Sequence, residues 1–145
     1  MSRKPEYFAI DPDDYHARYT GWTKDGRQIF LTEPFVPAIG GKEGAEFIAL
    51  FIFDDEGNLI QDAIASLGSR SSINRAHKDK HMSDLLDGVG ELDCKRIHIK
   101  PFSIRRDGVT FGFIAEEFEG DWTVELHPGN YMAFHEPWDS GVYDT

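Results

Sequence analysis

The stretch Phe47-Ile48-Ala49-Leu50-Phe51-Ile52-Phe53 decides the fold. It is a continuous apolar run without polar alternation, which reads as a strand covered on both faces, because a half-exposed strand alternates apolar and polar residues. The turn Asp54-Asp55-Glu56-Gly57 then leads into a second run, Asn58 to Ala65. Acid residues followed by a glycine suit a hairpin, since glycine readily takes a positive φ.

The same grammar recurs three times. Tyr15 to Trp22 passes through Lys24-Asp25-Gly26 into Arg27 to Leu31; Lys95 to Ile104 passes through Arg106-Asp107-Gly108 into Val109 to Ala115; Trp122 to His127 passes through Pro128-Gly129 into Asn130 to His135. In these strands one face is apolar, as with Val109, Phe111, Phe113 and Ala115, so they are expected to be half buried. One helix is expected near 71–87, capped by Ser71 or Ser72, with Ile73, Ala76, Leu85 and Leu86 as a loose apolar stripe and Gly88 and Gly90 at its end. The expectation is a mainly antiparallel β (α+β) fold. It forms one globular domain over 1–145, either a two-layer sandwich or a sheet of about eight strands in hairpins with the helix on one face. Segment 136–145 is expected to be a flexible or docked acidic-aromatic tail.

Composition supports a folded chain: 40% of residues are hydrophobic and eleven are Phe, enough for a core. No apolar leader or long apolar stretch is present, and Cys94 is the single cysteine, which points to a cytoplasmic, membrane-free protein. Charge is sorted along the chain. Residues 107–145 carry nine Asp/Glu and no Lys/Arg, residues 70–106 carry nine Lys/Arg against five Asp/Glu, and residues 1–69 six against twelve, for a net charge of −11. Such a field attracts cationic partners and disfavours nucleic acid.

Four groups of residues are candidates for function. Glu136, Trp138, Asp139, Tyr143 and Asp144 interleave aromatics with carboxylates, a composition suited to gripping a basic protein partner; the plainer reading is a segment that docks on its own core. Ser69, Arg70, Ser71 and Arg75 precede or open the expected helix, where free N–H groups attract anions, although a simple N-cap uses the same residues. His77 and His81 stand at i and i+4, the spacing of two metal ligands on a helix, but two lysines lie between them and a third ligand must come from elsewhere. Glu116-Glu117-Phe118-Glu119-Gly120-Asp121 reads as a solvated acidic turn. Cys94 and His98, about 13 Å apart along a strand, are too distant to form a catalytic pair.

The leading expectation is a non-enzymatic acidic binding protein, inhibitor- or adaptor-like and without a cofactor, that docks a basic protein partner and gains association rate from long-range attraction. One alternative is a small-ligand binder or metal- or His-dependent enzyme, with a lid at 32–44 and a convergence of His77, His81, His98, His127 and His135. Another is a structural homo-oligomer subunit in which the cationic middle of one copy faces the acidic end of another.

Overall fold

A computed structural model describes residues 2–145. Its strands are β1 (Phe8–Ile10), β2 (Tyr19–Thr23), β3 (Gln28–Thr32), β4 (Phe35–Val36), β5 (Ala45–Phe53), β6 (Leu59–Gly68), β7 (Leu92–Cys94), β8 (Ile97–Ile99), β9 (Phe102–Arg106), β10 (Val109–Phe118), β11 (Asp121–His127) and β12 (Ala133–Phe134). The helix α1 (Arg75–Val89) lies between β6 and β7. All strand pairs are antiparallel.

The apolar run becomes β5, the spine of a six-stranded sheet. β6 lies along one side of β5, β3 and β4 pair with successive stretches of the other, and β2 and β7 continue outward from β3. Both faces of β5 are covered. Phe47, Ala49, Phe51 and Phe53 point into a core shared with Phe111, Phe113, Val124 and Leu126 of a four-stranded sheet ordered β12-β11-β10-β9. Ile48, Leu50 and Ile52 point the other way, and Met82, Leu85, Leu86 and Val89 of α1 pack over them. Uninterrupted apolarity is therefore the signature of a middle layer. The sandwich and the helix-on-sheet arrangement, expected as alternatives, coexist as three layers.

An aromatic cluster fills the space between the sheets. Phe113 is fully buried and lies 5.2 Å from Phe8, 5.2 Å from Phe30 and 5.9 Å from Phe134, centroid to centroid. These edge and tilted contacts add attraction beyond burial. The neighbouring Gly112 has φ 145°, and a Cβ there would lie 2.1 Å from the Phe102 carbonyl oxygen, so β9 and β10 approach too closely for any side chain.

Four local expectations need correction. The helix begins at Arg75, not Ser71: Asn74 is its N-cap, with the side-chain oxygen accepting from the His77 N–H at 3.0 Å, while Arg70–Ser72 form a separate 3-10 turn. The helix ends at Val89, with Gly90 at φ 81°. The single strand expected over Lys95 to Ile104 is broken. Ile97 and Ile99 pair with β1, and the chain passes Pro101 before β9 pairs with β10. The strands number twelve among the described residues rather than eight, because short segments such as β1, β4 and β12 pair without a long alternating pattern.

Candidate functional site

Segment 136–145 is tied to the body of the protein. The Ala9 N–H donates to the Trp138 carbonyl, the Asp11 N–H donates to the Gly141 carbonyl, and Ala133 and Asp144 exchange two backbone hydrogen bonds. Arg96 grips Asp11 through Nε at 2.7 Å and Nη2 at 3.0 Å, and donates to the carbonyls of Asp139 and Ser140. That hydrogen-bonded guanidinium holds the Asp11 carboxyl below its ordinary 3.8. Gly141, at φ 80°, leaves room for this clamp, since a Cβ there would meet the Asp11 carboxylate at 2.2 Å.

The two aromatics singled out for partner contact lie against the protein's own core. Trp138 and Tyr143 are partly buried on the main cluster. Trp138 Nε1 donates to the Arg3 carbonyl, and Tyr143 Oη donates to Asp13 Oδ2 at 2.5 Å while accepting from the His16 N–H at 3.1 Å. Burial, and then the bond to Asp13, push the Tyr143 phenol up to about 12. Glu136, Asp139 and Asp144 are exposed. The Glu136 carboxylate accepts the Arg3 N–H, and the Asp144 carboxylate lies 3.4 Å from His135.

The other candidate groups occupy separate places. Arg70 pairs with Glu46 at 2.6 Å and stacks over Phe35 at 5.6 Å, so its cation already faces a carboxylate, while the hydroxyls of Ser69 and Ser71 are 3.3 Å apart. Arg75 is exposed at the start of α1. His77 and His81 share that helix, and among the described residues no group of three or more His, Cys, Asp or Glu gathers as a metal site. His98 is exposed on β8, and His127 ends β11. The first part of the expected lid is pinned: β4 pairs with β5, and the Phe47 N–H donates to the Pro34 carbonyl.

The charge sorting of the sequence carries over to the ion pairs. Among the described residues, Lys24, Arg27, Arg70, Lys78, Lys80, Lys95, Arg96 and Arg106 pair with Glu91, Asp25, Glu46, Glu33, Asp84, Asp93, Asp11 and Asp62. All of these carboxylates precede residue 107. The later acids include Glu116, Glu117 and Glu119, which are exposed and make no Lys/Arg pair among the described residues.

These three glutamates flank an exposed aromatic in sequence. β10 pairs with β9 only as far as Phe113, and β11 pairs with β12 only at Val124 and Glu125, so residues 116–123 form a two-stranded ribbon without a third strand. At its end the Glu119-Gly120 turn, φ 51° and 86°, reverses the chain, and Phe118 stands 76% exposed opposite Asp121. Alternation places Glu116 and Phe118 on the outer face, and Glu117 with Trp122 on the face that carries the core farther along. Lys4 reaches this ribbon one pair back from the turn, 5.7 Å from the centre of the Trp122 ring.

Comparison with known proteins found no matching family model, curated protein or solved structure. No helix among the described residues is long and apolar enough to cross a membrane.

Proposed function

We propose that the protein is a binding module that docks a basic protein partner through the β10–β11 ribbon. The observation that carries this reading is Phe118, 76% exposed at the ribbon's end and bracketed in sequence by Glu116, Glu117 and Glu119. An exposed aromatic offers a large apolar contact with few rotatable bonds, and carboxylates around it steer a cationic surface into place. The partner's complementary face is an apolar recess bordered by Lys and Arg. The acids of segment 136–145 add to the long-range field, while Trp138 and Tyr143 serve the protein's own packing.

The test is co-purification on a tagged chain at low salt, followed by elution at high salt. A basic protein should be retained by the parent chain and lost both from Phe118→Ala and from a triple variant with Glu116→Gln, Glu117→Gln and Glu119→Gln, with neither variant melting below the parent. Equal retention by all three chains removes the proposal.

A further inference from the structure

We propose that the cleft between the 11–18 loop, the β3–β4 bend and α1 binds a small organic anion that carries a planar ring. The cleft encloses about 390 Å³, within the range of small-molecule sites. One wall is a continuous band of rings. Tyr15 stacks on His16 with centroids 3.7 Å apart, His16 meets Tyr131 at 4.5 Å, and Tyr131 lies nearly parallel to Phe35 at 5.7 Å and 18°. Such a band offers a planar ligand faces and edges to pack against.

The charged lining explains the preference for an anion. Glu33 and Glu46 border the cleft, but Lys78 holds the first at 2.7 Å and Arg70 the second at 2.6 Å. Arg18 also lines the cleft, and among the described residues it makes no carboxylate pair; its guanidinium has a 3.5 Å contact to the Asp14 carbonyl. The lining thus carries three Lys/Arg against two Glu in a chain of net charge −11. An entering anion meets a guanidinium without a carboxylate and the His16 ring, while the buried hydroxyl pair Thr32 Oγ1 and Tyr131 Oη, 2.7 Å apart, closes one side. Arginine suits phosphate and carboxylate because its planar fork donates two parallel hydrogen bonds.

The test is titration of the full chain, followed by NMR, with adenosine monophosphate, uridine monophosphate and benzoate as ring-bearing anions, and with adenosine and inorganic phosphate as the separate halves. At least one ring-bearing anion should give saturable shifts confined to Tyr15, His16, Arg18, Thr32 and Tyr131. Adenosine monophosphate, if it is the ligand taken, should bind about tenfold more tightly than adenosine or phosphate alone, and whichever anion binds should lose about fivefold or more on Arg18→Gln, a surface change that leaves the spectrum dispersed. Arg105→Gln and Phe118→Ala should bind as the parent does, which separates this site from ribbon docking. Absence of saturable cleft shifts with all three anions up to about 10 mM overturns the proposal, as does undiminished binding by Arg18→Gln.

Discussion

Replacing Tyr143 by Phe removes one oxygen and leaves the ring in place, so it isolates the polar anchor of the final segment. The lost oxygen donates to Asp13 at 2.5 Å and accepts from the His16 N–H at 3.1 Å. Asp13 keeps its two backbone donors, Tyr15 and Ala17, so no carboxylate is stranded. A charge-assisted bond and a neutral one, discounted for solvent screening, together contribute about 1–2 kcal/mol. For a chain of 145 residues this corresponds to a fall in melting temperature of about 3–7 °C. The pH dependence carries a second signature. A phenol raised from 10.0 to about 12 contributes stability that is full below pH 10 and is lost as the pH rises toward 12. Thermal unfolding by circular dichroism from neutral to alkaline pH should show a smaller alkaline decline in Tyr143→Phe, with a remainder from Tyr131, whose phenol burial also raises. A melting temperature within about 1 °C of the parent, with an unchanged alkaline limb, refutes the assignment of Tyr143 as anchor.

Three further outcomes follow from the packing and the charge. Phe113→Ala should cost about 3–5 kcal/mol in a denaturant titration, because it opens a cavity where β1, β3, β10 and β12 meet. Gly112→Ala should cost about 2 kcal/mol or more, as a methyl group cannot occupy the 2.1 Å gap to the Phe102 carbonyl; an unaltered denaturation midpoint contradicts that approach. Raising sodium chloride from about 20 mM to about 150 mM should raise the melting temperature by screening the acids that have no Lys/Arg partner. A flat or falling response speaks against a concentrated anionic surface.

The layering was legible in the sequence because Phe47 to Phe53 lacks alternation, and burial on both faces is the physical cause of that pattern. The turns were legible where an acid and a glycine met, at Gly26, Gly57 and Gly108. The acidic run ending at Glu119-Gly120 also reads as a turn, but nothing in its spacing says that β9 and β12 stop short of it and leave Phe118 exposed. Trp138 and Tyr143 looked like partner-binding aromatics because sequence alone does not say whose surface an aromatic covers. Arg96, Asp11 and Gly141 decide that, across 85 positions between the first two. The place of His16 is illegible for a related reason: its ring partners Tyr131 and Tyr143 are distant in the chain, and no spacing rule connects them.

The most direct measurement is the affinity of the co-purified basic partner for the parent chain, for Phe118→Ala and for the Gln-substituted ribbon, at low and at moderate salt. Loss of the aromatic anchor should weaken binding about thirtyfold at both salt concentrations. Neutralising the three glutamates should instead weaken it strongly at low salt and little at moderate salt. Affinities equal to the parent's in both variants would contradict docking through the ribbon.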